Sequence, residues 1–197
     1  MKKEMDAKQQ IPFFQTPSRA DLAANNASWI QDFLILAPFG VIAFIQDNQP
    51  YLHTNLFAYD MAGQVIYMHS SRQGRMFNAV STGVQACFTV VEMGRLLPAN
   101  QAISFNVEYA SVVIFGQLID IKDRDECQYG LQLLLEKYAP HLKPGSNYRP
   151  IQTEELDKTA VYRFEIESWS GKCKQAATDF PGAFYYPDWS MLMQSIG

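Results

Sequence analysis

The sequence is short of charge. Only 18% of its 197 residues are Asp, Glu, Lys or Arg, whereas 48% are apolar and 13% aromatic. A typical soluble domain carries about a quarter of its residues charged. This composition therefore predicts apolar surface reserved for a second subunit or a ligand. With a net charge of −4, no general electrostatic attraction to nucleic acid is expected. Cysteine is scarce and odd in number. Cys87, Cys127 and Cys173 lie far apart, without CxxC or zinc spacing, so they are expected to be free thiols, Cys87 serving as a small core residue in "ACFTVV". The three histidines (His53, His69 and His141) are dispersed and form no HExxH, so no metal site is expected. A P-loop, a GxSxG elbow and a Rossmann fingerprint are all missing. No stretch approaches the roughly 20 apolar residues of a membrane span. The lysine-bearing start "MKKEMDAKQQ" is followed by no apolar core, so no signal peptide is expected, and a cytoplasmic location is.

What is present reads as one domain. Residues 1–17 are polar, with Pro12 and Pro17, and read as a loose arm. "SRADLAANNASWIQDFLILA" carries an apolar helical stripe at Leu22, Trp29, Phe33 and Leu36, with Ser18 and Asp21 spaced as a capping box. From Gly40 the pattern changes to strands. "GVIAFIQ" and "PYLHTNLFAY" flank the turn "DNQP". "GQVIYMHS", "VQACFTVVEM", the long "SFNVEYASVVIFGQLIDIK" with a candidate kink at Gly116, and the alternating "AVYRFEIESWSGK" follow. A second clear helix, "DRDECQYGLQLLLEKYA", is capped by Asp123 and lined on one face by Leu131, Leu134, Leu135 and Tyr138. About six strands in hairpin-like order, with two or three helices between them, predict a mainly β antiparallel barrel with added helices over residues 18–175. The aromatic tail 176–197 is expected to pack on the barrel or on a dimer partner.

One stretch concentrates chemistry. "YMHSSRQGRMF" follows the apolar "GQVIYM" and sets His69, Ser70, Ser71, Arg72 and Arg75 within seven residues. Strand alternation turns His69 and Ser70 to opposite faces unless the strand ends there. A serine cap, the free N–H groups of the next helix and an arginine fork would together hold a phosphate. The alternative is an ordinary capped helix with solvated arginines. Two weaker candidates are His53 with Thr54 and Asn55, whose default reading is a half-buried histidine, and the polar face Ser104, Asn106 and Glu108.

Four segments in order carry a resemblance: "GVIAFIQDNQPYLHTNLFAYD", "IYMHSSRQGRMFNAVSTGVQACFTVVE", "SFNVEYASVVIFGQLIDI" and "TAVYRFEIESWSGK". From about Phe39 to Lys174 the chain resembles the flavin-binding split-barrel superfamily of pyridoxamine 5'-phosphate oxidase, in the branch that includes the nitroimidazole-resistance proteins. The resemblance implies an antiparallel barrel of six strands, a homodimer, and one flavin mononucleotide (FMN) in each of two clefts between the subunits. It places the phosphate loop on His69 to Met76, with Arg75 as the phosphate-binding arginine. Gly74, Arg75 and Met76 stand where the oxidases proper usually have Ser-Arg-Lys. His53 replaces their earlier arginine, and the lysine a few residues on is absent. The resulting cofactor set is His53, Thr54, Asn55, His69 and Ser70, then Ser71, Arg75, Met76, Ser104 and Asn106. The loss of positive charge leaves haem as a second cofactor. The implied activity is FMN-dependent oxidation or reduction of an unidentified substrate. The alternative is a non-catalytic flavin- or haem-binding protein used in storage, sensing or regulation.

Overall fold

The computed structural model describes residues 11–13, 20–80 and 82–186. Among the described residues, eight strands and four α-helices follow one another, with four strands in succession after the first helix. The strands are β1 (Gly40–Gln46), β2 (Gln49–Asn55), β3 (Phe57–Asp60), β4 (Val65–Ser71), β5 (Val84–Leu97), β6 (Asn106–Asp120), β7 (Thr159–Lys174) and β8 (Phe184–Tyr185). The helices are α1 (Ala27–Leu36), α2 (Arg75–Val80), α3 (Arg124–Tyr138) and α4 (Thr153–Lys158). All strand pairs are antiparallel, in the order β2-β1-β5-β6-β7-β4-β3, with β8 added to β5. This is a split barrel with added helices.

Local chemistry explains most of these elements. Asp47 and Asn48, both at positive φ (50° and 59°), form the two-residue turn between β1 and β2, as the residue types allow. The run 50–59, expected as one strand, divides at Leu56. Residues before it pair with β1, and Phe57 onward pair with β4, which raises the strand count of the main sheet to seven. The first helix begins later than the sequence suggests. Ser18 lies outside the described residues, Ala23 bridges Lys172 in extended backbone, and Asn26 caps α1 by accepting from the Trp29 N–H at 3.3 Å. Asp123 caps α3 as expected, accepting from Glu126 N–H at 2.8 Å. Gly130, an unfavourable residue inside a helix, lets α3 lie close on β4: a Cβ there would stand 2.7 Å from Cδ1 of Tyr67.

The interior is aromatic and fully buried. Phe57, Phe88 and Phe164 form a chain of rings at 5.0 and 6.1 Å, and Tyr162 and Trp169 are closed off beside them. A second, smaller cluster of Tyr67, Ile121, Cys127, Leu156 and Val161 fills the space under α3 and α4. Near the N-terminus, Ile11 is buried, and the Pro12 carbonyl accepts from Trp169 N–H at 3.2 Å.

Beyond the barrel, β5 and β6 continue as a long hairpin, clamped to the segment that follows β7. Glu108 receives two guanidinium N–H groups of Arg95, at 2.7 and 2.8 Å, and the Ala176 N–H at 2.8 Å. Arg95 in turn donates to the carbonyls of Ala177 and Thr178. The Arg95 fork, with the Ala176 N–H second, holds the Glu108 carboxyl down at about 2, from an ordinary 4.5. A carboxylate with a depressed folded-state pKa stabilises above the unfolded value and loses that contribution as pH falls through the folded one. Comparing urea unfolding of wild type and Glu108→Gln should therefore show a stability difference that is full above pH 4.5 and vanishes towards pH 2. A difference that does not change with pH would show that the clamp acts by shape alone.

Candidate functional site

β4 alternates as the sequence predicts. Ser70 shares the barrel side with Ile66 and Met68, and its hydroxyl lies 2.9 Å from that of Tyr162. His69 shares the other side with Tyr67, under α3. The expected serine cap is not formed. β4 continues through Ser71, paired with Thr159, so α2 starts only at Arg75, where Asn78 N–H reaches the Gly74 carbonyl. Ser71 instead accepts from Gln73 N–H at 3.2 Å, folding the loop back on itself.

The two arginines of this loop have different environments. Arg72 turns inward, donating to the Leu156 carbonyl at 3.2 Å, with Nε buried and unpartnered. Arg75 is exposed but held. Its Nε donates to Gln46 Oε1 at 3.0 Å and one terminal nitrogen to Gln49 Oε1 at 3.1 Å, both residues flanking the β1–β2 turn. The guanidinium carbon stands 4.8 Å from the Tyr51 ring centroid, and the Tyr51 ring stacks on His53 at 6.3 Å. Arg75, Tyr51 and His53 thus form a row along one face of β2, while Thr54 is exposed on the opposite face. Asn55 ties the end of β2 to β4 by donating to the His69 carbonyl at 2.7 Å.

Not every candidate joins this cluster. Met76 is buried in the core. Ser104 and Asn106 are exposed at the far end of the β5–β6 hairpin. Tyr109, three residues beyond Asn106, pairs with Lys174, while Ser70 pairs with Ala160. Those two β7 positions are separated by roughly 45 Å of strand at about 3.3 Å per residue. Within one protomer, then, Ser104 and Asn106 do not reach the Arg75 loop.

A cavity of about 380 Å³ opens between β4, α3 and the segment 139–155. Leu56, Leu131, Leu134, Leu135, Tyr138 and Ile151 make it apolar, with Arg149 and Glu155 also in its wall. His69 is its polar group inside. Neither ring nitrogen has a hydrogen-bond partner among the described residues, and Nδ1 is fully buried. Burial lowers the imidazole pKa below its ordinary 6.5, so the ring stays neutral at neutral pH. The leucine stripe of α3 signalled a packed helix face in the sequence. Nothing in the sequence signalled that part of that face is left open.

Chemistry elsewhere is limited. All three cysteines are free thiols, and burial raises the pKa of Cys87 and Cys127. No helix among the described residues is long and apolar enough to cross a membrane. No group of three His, Cys, Asp or Glu among them could hold a metal ion.

The antiparallel split barrel with added helices defines a class of mainly β domain. The pyridoxamine 5'-phosphate oxidase family profile matches residues 27–173, and the chain belongs to that family. Among solved structures, a flavocytochrome from Azotobacter vinelandii (Anf3) is 24% identical, with 87% of this chain and 84% of that one covered and a TM-score of 0.72. The FAD and heme binding protein of Mycobacterium smegmatis is 20% identical over 89% and 80%, at a TM-score of 0.69. A putative 5-nitroimidazole antibiotic resistance protein of Bacteroides thetaiotaomicron is 16% identical over 77% and 86%, at 0.63. No curated protein matches the chain.

Proposed function

We propose that this chain is a homodimeric FMN-dependent oxidoreductase or reductase whose cofactor phosphate is held at Arg75. One observation carries the reading: a guanidinium fixed by Gln46, Gln49 and Tyr51, with no carboxylate partner among the described residues. Such a cation is oriented in advance, and its remaining N–H groups suit a phosphate. Ser71 lies at the exposed end of β4 beside this loop, and the Tyr51–His53 row offers a surface for a flat ring. Bound flavin would supply the electron transfer, while the protein positions it and shields it from water.

The dimer reading rests on the outer face of β2, β1, β5 and β6. Paired rows Leu52–Ala43–Cys87–Phe115 and Thr54–Val41–Thr89–Val113 run across it without a charged side chain. Ile45, Leu52, Val91 and Met93 on this face are exposed. A second copy would bury it by two-fold pairing. Its distal hairpin, with Ser104 and Asn106, would then be free to approach the first copy's loop.

A second reading, haem binding, is favoured by the unpartnered neutral His69 in its apolar cavity. A neutral imidazole with both nitrogens unengaged is fit to ligate iron, and Arg149 could meet a propionate. Two of the similar structures are named for haem as well as flavin.

The visible spectrum of the purified protein after reconstitution with FMN, FAD or haem tests both readings. Light scattering should report twice the 22.4 kDa chain mass. Oxidation of a reduced nicotinamide with an added acceptor separates an enzyme from a passive binder. A monomer that takes up no flavin would overturn the leading reading.

A further inference from the structure

A second opening lies on the other side of α3 and is independent of the flavin reading. It is a groove of about 590 Å³ between the C-terminal end of α1, β3 and the last turns of α3, within the size range of small-molecule sites. Ile35, Leu36, Pro38, Ala58 and Leu133 give it apolar walls. Leu36 is 78% exposed at its rim.

The groove contains one cation, Lys137. Its amine sits 3.6 Å from the Phe57 ring centroid and donates to the Leu34 carbonyl at 3.1 Å. The Leu34 carbonyl and the Phe57 ring occupy two of its three N–H groups. The Tyr138 ring lies farther off, at 5.4 Å, and no carboxylate among the described residues pairs with the ammonium. Glu136, the acid in the lining, accepts instead from Gln132 Nε2 at 3.2 Å, one turn back on α3. Burial depresses the Lys137 pKa to about 8, the expected consequence of a desolvated ammonium lacking a counter-charge. A half-buried, unneutralised cation beside an open apolar wall is complementary to an anion with an apolar body.

We propose that this groove binds a small apolar monocarboxylate, its carboxylate paired with the Lys137 ammonium and its body lying along Ile35, Leu36 and Leu133. Octanoate is a suitable probe, with 1-octanol as its uncharged counterpart, each titrated calorimetrically into the full-length protein. Wild type should bind octanoate at least about tenfold more tightly than octanol, the scale of one charge-assisted hydrogen bond. Lys137→Met should erase that preference, and Lys137→Arg should keep it. Should Lys137→Met unfold, Leu36→Asp decides, since it adds a repelling charge at an exposed position and should weaken octanoate more than octanol. Equal binding of the two probes by wild type, an unchanged preference in Lys137→Met or in Leu36→Asp, or no binding of either probe at millimolar concentration would each overturn the proposal.

Discussion

Arg75→Ala should weaken FMN binding by roughly one to two orders of magnitude while leaving riboflavin binding almost unchanged. Hydrogen bonds to charged groups contribute roughly 1.5–3 kcal/mol, and a factor of ten is about 1.4 kcal/mol. Riboflavin lacks the phosphate, so it reports on the ring site alone. Arg75 is exposed, and its partners are two glutamine side chains and a ring face, so its removal leaves no buried group stranded. Arg72→Ala is the informative contrast. Its guanidinium is bonded to the Leu156 carbonyl inside the α4 contact, so its loss should lower thermal stability and leave the ratio of FMN to riboflavin affinity intact. Equal losses of FMN and riboflavin in Arg75→Ala would mean that the arginine supports the fold. Unchanged FMN affinity would make the loop an ordinary turn with a solvated arginine.

The largest effect on folding is expected at Gly116. The register of β6 against β7 shifts between Phe115 and Gly116, and a Cβ there would lie 1.9 Å from the Glu165 carbonyl oxygen. The obstacle is backbone in the most extensively paired part of the sheet, so no side-chain rotation relieves it. Overpacking in a core costs typically about 1–3 kcal/mol and occasionally more, and here the upper end or beyond is expected. Gly116→Ala should lower the urea midpoint sharply, and Gly116→Val should fail to give folded protein. A midpoint for Gly116→Ala within experimental scatter of wild type would show that the bulge can open at little cost.

Much of the architecture was legible because short-range chemistry decided it. The Asp47–Asn48 turn and the Asp123 cap each depend on residues close in sequence. The features that were not legible depend on residues far apart. Ser70 was a reasonable helix cap until Tyr162 bonded it and Thr159 extended β4 through Ser71. Asn26 displaced the expected start of α1 because Ala23 is drawn into extended backbone by Lys172. The site divides in the same way. Arg75 stood out from its neighbours in the chain, but only the fold shows that Gln46 and Gln49 hold it while Arg72 turns away. The open half of the α3 leucine stripe depends on where segment 139–155 runs, which periodicity does not encode.

The break at Leu56 has a consequence for how reliably the barrel closes. β2 and β3 are the two ends of the main sheet path, yet a single residue separates them in the chain. A strand slip normally goes unnoticed at an exposed edge, because only solvent registers which face is turned out. Here a slip of β2 against β1 would pull Phe57 away from Phe88 and carry Asn55 off the His69 carbonyl. An error at one margin of the sheet is thus felt at once at the other. The chain proofreads its own closure through one short covalent link.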